Sequence, residues 1–350
     1  MGLTTPSRKK KLLLRKPTSE KQALANPRVD SLKPKEKAEI ACWNVRTLYQ
    51  TGKLAQVVRE FQNYGLDILG VCEARWTGSG QRALASGHTI LYSGRLDGHH
   101  TEGVALIMSR EKERTLSEWK PSGPRLLKAR SNSKYAKLTV IVCYAPTEDA
   151  EEADKDAFYD QLQAVTNEVP TLDLVMVLGD LNARPGNNNI GRDRVMGKHG
   201  IGTINDNEER LCHFCEENNM VIGGTLFQHR DVHKTTWTSP SGTTKSQIDH
   251  ILINGKWRSS LQDVRAYRGA DVASDQNLLV AVLSLKLRRT RRRQGRAHQF
   301  YSSKLKDNRI RQDFRRELKN RFQILGEEQE MNIDSFSQVI QGGRREGPWY

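Results

Sequence analysis

Six short runs set an acid, amide or phenol at the end of an apolar stretch: Trp43-Asn44, Cys72-Glu73, Tyr144-Ala145-Pro146, Gly179-Asp180-Leu181-Asn182, Gln247-Ile248-Asp249-His250 and Ser274-Asp275-Gln276. Strand tips are where α/β folds put chemistry, because the scaffold fixes the tip while the adjoining loop stays accessible. Four carboxylates converging at one rim, Glu73, Asp180, Asp249 and Asp275, repel one another unless a cation sits among them. Hard oxygen donors favour Mg²⁺, with Mn²⁺ as the alternative, and such an ion completes its shell with water and substrate phosphate. The chemistry that follows is metal-assisted phosphodiester hydrolysis, in which the cation stabilises charge on the phosphate and an acid positions the attacking water. A single Asp at a strand end is ordinarily a turn or cap residue; an ordered set of them is not.

The elements that position these residues are legible as apolar runs. Glu39 to Asn44 reads as a buried strand, Gly52 to Tyr64 as a helix with Leu54, Val57, Val58 and Phe61 at helical spacing, and Leu66 to Cys72 as a second strand. The same grammar returns with a strand over Lys137 to Tyr144, a helix over Glu152 to Asn167 and a strand over Leu172 to Leu178. Further strands are expected at His88 to Tyr92, Val104 to Met108, Thr235 to Thr238, Gln247 to Ile253 and Leu278 to Leu283, with a helix over Glu208 to Asn218. Interleaved helices and buried strands predict an α/β sandwich of four layers, two packed sheets flanked by helices, over residues 38–287. Cys212 and Cys215 have half the spacing of a metal site but lie in a helical pattern, and Cys42, Cys72 and Cys143 sit inside apolar strands, so all five read as core residues. Asn187-Asn188-Asn189 reads as a loop after Asp180 and His99-His100 as a loop pair.

Charge separates this body from its flanks. The formal charge of the 350 residues is +15. Residues 1–39 hold 11 Lys and Arg against 4 Asp and Glu, and residues 286–350 hold 17 against 8, which leaves 28 basic and 29 acidic groups between them. Two basic flanks, a disordered tail over 1–37 and an extension over 288–350, therefore bracket a near-neutral domain, and both are expected to contact nucleic acid through its phosphates. Within the extension Ile310, Phe314, Leu318, Phe322 and Leu325 predict an amphipathic helix around 309–325, suited to dock on the body or on a partner. No apolar run approaches the ~20 residues of a membrane span, and Lys9 to Lys16 lacks the ~7–15-residue apolar stretch of a secretory signal. Five cysteines cannot all pair within one chain, which favours a reducing compartment, nuclear or cytoplasmic, over secretion.

In order and wording the motifs resemble the endonuclease/exonuclease/phosphatase superfamily, the DNase I-like fold shared by apurinic endonucleases, DNase I and LINE-type retrotransposon endonucleases. The resemblance runs from about Ile40 to Lys286. Trp43-Asn44-Val45-Arg46-Thr47-Leu48, Glu73-Ala74-Arg75-Trp76-Thr77-Gly78, Thr235-Thr236-Trp237-Thr238-Ser239-Pro240 and Gln247-Ile248-Asp249-His250-Ile251-Leu252 look like the RTE-type branch and the element-derived host proteins called craniofacial development protein 2-like. The resemblance implies an Mg²⁺-dependent DNA endonuclease that leaves 3′-hydroxyl and 5′-phosphate ends. It implies metal ligation by Glu73, Asn44 and Asp275, orientation or deprotonation of the attacking water by Asp180, and a hold on that water and the phosphate by Asn182. Tyr144 is then the phenol on the scissile phosphate, Thr236 and Arg75 lie on the substrate side, and Asp249 is the acid that orients a catalytic histidine.

That histidine is replaced. Where the family pattern is Ser-Asp-His, this chain reads Ser274-Asp275-Gln276, and glutamine donates a hydrogen bond but does not ionise. His250 follows Asp249 directly and belongs to the opposite strand face, so it is not expected to substitute. Arg46 stands where the apurinic endonucleases carry an acid, as in the retrotransposon branch. Two rival readings accompany the nuclease: a catalytically inactive element-derived protein that binds DNA or chromatin, and a phosphatase of the same fold acting on small phosphates.

Overall fold

Alternation along each strand decides what lies on either side of it. In β1 (Lys37–Asn44) Ile40 and Cys42 fall on one face and Ala41 and Trp43 on the other, and all four are buried. A strand buried on both faces needs cover on both. The computed structural model describes residues 30–202, 205–287 and 305–327, and in it the chain divides into two units, up to Leu287 and from Arg288 onward.

In the first unit β1 is followed by α1 (Lys53–Asn63), β2 (Ile68–Cys72), β3 (Ser79–Ala83), β4 (Thr89–Ser93), β5 (Val104–Met108) and a short α2 (Arg110–Glu113). Next come β6 (Leu116–Pro121), β7 (Leu126–Ser131), β8 (Leu138–Tyr144), α3 (Glu152–Asn167), β9 (Leu174–Asp180), α4 (Asp206–Glu217) and β10 (Met220–Ile222). A ribbon of β11 (Trp237–Thr238) and β12 (Lys245–Ser246) precedes β13 (Asp249–Asn254), β14 (Leu261–Tyr267) and β15 (Leu278–Ser284). One sheet runs β14-β15-β1-β2-β5-β4-β3 and the other β10-β13-β9-β8-β7-β6. Both are mixed, with β1 parallel to β2 and β8 parallel to β9 while their other neighbours are antiparallel.

Three apolar clusters fill the spaces between four layers. Val57, Phe61 and Trp43 pack α1 on the first sheet, Ile40, Leu106, Val142, Leu178 and Ile251 fill the gap between sheets, and Phe158, Leu162, Leu211 and Phe214 seat α3 and α4 on the second sheet. The expected sandwich is thus the observed one. The sheets approach closely at Gly70, where an added Cβ would stand 3.2 Å from Val142 Cγ2 and 3.4 Å from Leu178. At Gly179 the backbone φ of +155° and the Cys143 carbonyl, only 1.8 Å from a built Cβ, exclude any side chain. All five cysteines are buried and unpaired.

The body begins earlier than the shift in composition implies. Ser31 and Leu32 are buried, the Ser31 N–H donates to Asn132 O at 3.0 Å, and the Lys112 ammonium donates to Ser31 O at 2.9 Å, so the tail expected to be disordered through residue 37 is packed from about residue 31. The reason is a single apolar side chain, Leu32, entering the core between the sheets; residues 1–29 lie outside the described residues. Six strands carry no sequence expectation: β3 and β6 are exposed edges without alternation, β10 is three residues long and β12 two, and β7 and β14 are interrupted by charges, β14 with a bulge near Leu261. The expected strand over Thr235 to Thr238 contracts to Trp237–Thr238. In the second unit the expected amphipathic helix is present as α5 (Asn308–Glu327), while the basic run 288–296 is outside the described residues. Among the described residues no helix is long and apolar enough to cross a membrane.

Because Gly179 joins Asp180 to the core, its substitution reports on the whole tip. Gly179→Ala is expected to lower unfolding stability by more than ~3 kcal/mol, beyond the usual cost of an overpacked core, with urea denaturation followed by circular dichroism as the measurement.

Candidate active site

The period of two that builds the core between the sheets also aims the polar tips. Residues 40 and 42 of β1, 140 and 142 of β8, 176 and 178 of β9, and 251 and 253 of β13 line that space. Continuing each row by one step brings Asn44, Tyr144, Asp180 and Asp249 to its mouth. The sheets therefore meet in a polar cap over an apolar core, with Glu73 just beyond β2 and Ser274-Asp275-Gln276 just before β15.

Asp180 is the centre of this cap. It is only 2% exposed. Its Oδ2 accepts from Asn44 Nδ2 at 3.0 Å and from Gln276 Nε2 at 2.9 Å, and its Oδ1 accepts from the Asn182 N–H at 3.1 Å. Burial lifts its carboxyl to about 6, against the pull of these three donors and with a further push from the Glu73 charge. Asp249, opposite Asp180 in the β13–β9 pair, is fully buried, and the Thr236 hydroxyl is the one side-chain group that opposes the lift on its carboxyl. Burial, and then the nearby Asp180 charge, push that carboxyl well above its ordinary range. Burial likewise raises the Tyr144 phenol, with Glu73 and Asp180 adding to it, while the Arg125 guanidinium 5.1 Å from the ring centroid opposes.

Glu73 and Asp275 are each tied to a cationic neighbour. Glu73 Oε1 accepts from Asn44 Nδ2 at 2.8 Å and Oε2 from Arg75 at 2.7 Å. Asp275 Oδ2 accepts from the Trp237 indole at 3.0 Å, and Oδ1 lies 3.9 Å from Arg46 Nε. Asn182 donates to Ala145 O at 3.0 Å, and its own carbonyl is held by the Asn205 and Asn207 amides. Beyond it the chain toward α4 is tied back by Glu208, a fully buried acid whose Oε2 accepts from the Gly186 N–H at 3.0 Å.

Three of the expected site residues have partners that the sequence alone does not supply. The Asn44 Oδ1 is engaged by the Arg46 N–H at 2.9 Å, and its Nδ2 is turned to Glu73 and Asp180. Thr236, expected beside substrate, is fully buried, and its hydroxyl accepts from the Ile248 and Asp249 N–H groups at 3.0 and 3.1 Å, so it shapes the start of β13. Gln276 points to Asp180, leaving Asp249 without the partner that the family pattern implies. His250 faces away, bonded to Ala183 O at 2.8 Å, with burial lowering its imidazole to about 4. Cys212 and Cys215 are buried on α4 as core residues.

Two indoles escaped notice in the sequence. Trp43 donates to Gln276 O at 2.9 Å and Trp237 to Asp275, so both fix the 274–276 segment. Each stands in a motif run, but only the fold supplies its partner.

Among the described residues no three His, Cys, Asp or Glu side chains form a cage for a metal. Glu73 and Asp275 are hard oxygen donors, the donor class of Mg²⁺, which takes one or two carboxylates and completes its shell with water and phosphate.

Comparison with other proteins gives the family. Residues 41–275 match the model of the Endonuclease/Exonuclease/phosphatase family. Craniofacial development protein 2 of Bos taurus is 38% identical over 254 residues, which are 73% of this chain and 42% of that protein, so the chain spans less than half the length of that relative. The chain belongs to the endonuclease/exonuclease/phosphatase family.

The fold of this family member is shared more widely. The endonuclease domain of TRAS1, a telomere-specific non-LTR retrotransposon, superposes with a TM-score of 0.51 at 13% identity, covering 72% of this chain and all of that domain. The 3′ phosphatase NExo from Neisseria, bound to a product DNA hairpin, superposes with a TM-score of 0.53 at 20% identity over 70% of this chain and 99% of that one.

Glu208 gives this region a pH signature. Burial raises its carboxyl from 4.5 to about 7, against the Gly186 N–H and Arg192. A buried acid whose pKa is raised on folding costs nothing below its unfolded value and costs progressively more as pH rises through the folded one. Thermal unfolding is therefore expected to fall in midpoint between pH 4.5 and about 7, and Glu208→Gln is expected to remove that component of the slope.

Proposed function

We propose that this chain is an Mg²⁺-dependent DNA endonuclease of retrotransposon descent, hydrolysing a phosphodiester in line to leave 3′-hydroxyl and 5′-phosphate ends. The observation that carries the reading is Asp180, a buried carboxyl lifted to about 6 and held by three N–H donors at the mouth of the sandwich. A carboxyl with that value is a competent base near neutrality. Asp180 orients and deprotonates the attacking water; Asn182, fixed at Ala145 O, holds that water against a phosphate oxygen. Tyr144 stays protonated and donates its hydroxyl to the scissile phosphate. Arg75 and Arg46 neutralise the approaching backbone once their carboxylate partners are engaged elsewhere. Glu73 and Asp275 would hold Mg²⁺, which when bound supplies positive charge to the phosphate and the leaving oxygen.

DNA as substrate draws support from the retrotransposon and DNA-bound proteins that share the fold and from the basic flanks of the sequence, residues 1–39 and 286–350. A nuclear location follows from that substrate. A second reading, an element-derived protein that binds DNA without cutting it, is favoured by one observation: Gln276 cannot ionise, and its amide is turned to Asp180, not to Asp249.

A nicking assay on supercoiled plasmid separates the two. Nicking is expected with Mg²⁺, and its loss with EDTA and in Asp180→Ala. Gln276→His is expected to raise the rate by about 10²–10⁴-fold, the typical contribution of a positioned acid–base group. Absence of nicking by both the native chain and a folded Gln276→His protein removes the catalytic reading, and salt-sensitive DNA binding that survives Asp180→Ala without any cleavage establishes the binding one.

A further inference from the structure

Next to the Glu73 loop two aromatic rings meet in the open. Tyr49, five residues past Asn44, is 63% exposed, yet its ring lies 4.1 Å from the His100 ring at an interplanar angle of 35°. His100 comes from a different loop, between β4 and β5, and is itself exposed. Single exposed aromatics are common on protein surfaces. A stacked pair from two loops, with both rings left to solvent, is a different object, because each ring spends conformational entropy to present a joint apolar face.

The pair is also held rigidly to the active site. The Leu48 N–H donates to Ala74 O at 3.0 Å, the Tyr49 N–H to Thr47 Oγ1 at 2.9 Å, and His100 Nδ1 to Arg75 O at 2.8 Å. Both rings thus hang from the backbone of residues 74 and 75, immediately after Glu73. Arg46, three residues before Tyr49, and Arg75, whose main-chain oxygen holds His100, have side chains 59% and 42% exposed. Exposed aromatic rings near cations in the chain are what single-stranded nucleic-acid sites use: a ring stacks on a base and the cations track the phosphates.

We propose that Tyr49 and His100 form a stacking platform for a nucleobase displaced from the DNA helix beside the phosphate that faces Asp180. The inference rests on the nuclease reading and adds the substrate form: DNA with an unpaired or easily unstacked nucleotide at the cut. A paired base keeps both faces covered within the duplex and gains nothing from the platform; an unpaired one gains a full stacking surface. The platform therefore discriminates between forms of DNA, whereas Arg46 and Arg75 contribute to both alike.

Binding rather than cleavage tests this, with the full chain carrying Asp180→Ala so that DNA stays intact. Two duplexes of one sequence are compared, one fully paired and one with a single unpaired 2-aminopurine, and Kd and 2-aminopurine fluorescence are read. Adding Tyr49→Ala is expected to weaken binding of the unpaired duplex by about 5- to 150-fold, the usual worth of one stacked base, and to relieve the quenching. The paired duplex is expected to change by less than about twofold, Tyr49→Phe to behave as Tyr49 does, and His100→Ala to act in the same direction as Tyr49→Ala. Equal losses on both duplexes, no loss on either, or a Tyr49→Phe protein that behaves like Tyr49→Ala overturns the platform while leaving the nuclease reading intact. Failure of the parent protein to bind either duplex overturns the nuclease reading, and the platform with it.

Discussion

Of the polar contacts that cross from sheet to sheet, one organises the site: the Asn44 amide of β1 on the Asp180 carboxylate of β9, at 3.0 Å. It exists only because the sheets come close enough, and the spacing is set where Gly70 leaves room for Val142 and Leu178. A carboxylate taken out of water costs several kcal/mol unless its oxygens are satisfied, and charge-assisted hydrogen bonds return about 1.5–3 kcal/mol each. Asn44, Gln276 and the Asn182 N–H supply three. Burial still outweighs them, which is why the carboxyl is lifted and not lowered. The raised carboxyl is thus a by-product of how two sheets are packed.

The loops around this contact hold unusual backbone. Among the described residues seven non-glycine positions have positive φ, and five of them are Arg46, Glu73, Arg75, Asn182 and Ala273, at the strand tips that form the rim. Such conformations cost of order 1–3 kcal/mol each and persist only where neighbours over-determine them. Here the neighbours are visible: Asn44 Oδ1 on the Arg46 N–H, Glu102 O on the Arg75 N–H, Asp180 Oδ1 on the Asn182 N–H, and the Lys53 ammonium on Val272 O. The site is consequently stiff before any ligand arrives, and the Tyr49–His100 pair inherits that stiffness from residues 74 and 75.

Much of this was legible from sequence, for a definite reason. A buried strand announces itself by apolar residues on both faces, so β1, β2, β5, β8, β9 and β15 were readable, and their tips came with them. Edge strands such as β3 and β6 bury little and leave no pattern. Side-chain orientation was harder. That Asn44 offers its amide and not its oxygen follows from the Arg46 N–H beside it, and that Thr236 is occupied follows from two N–H groups twelve and thirteen residues away. Residue type gives chemistry in outline, while the partner that selects one end of an amide is known only from the fold.

The replaced histidine illustrates how a site absorbs a change. In the family pattern an aspartate and a histidine stand together, an anion supporting a group that becomes a cation. With Gln276 the cation is lost, and Asp249, fully buried, has its carboxyl pushed well above the ordinary range by burial and by Asp180. A carboxyl so placed favours its proton-bearing form. Losing the cation and favouring the neutral acid act in opposite directions on the local charge. What does not return is a donor able to build up positive charge as the phosphate gains negative charge. Gln276 still serves the fold, because its amide satisfies Asp180 and its main-chain carbonyl accepts from Trp43, but on the nuclease reading Asp180, Arg46 and Arg75 must carry the charge without a histidine.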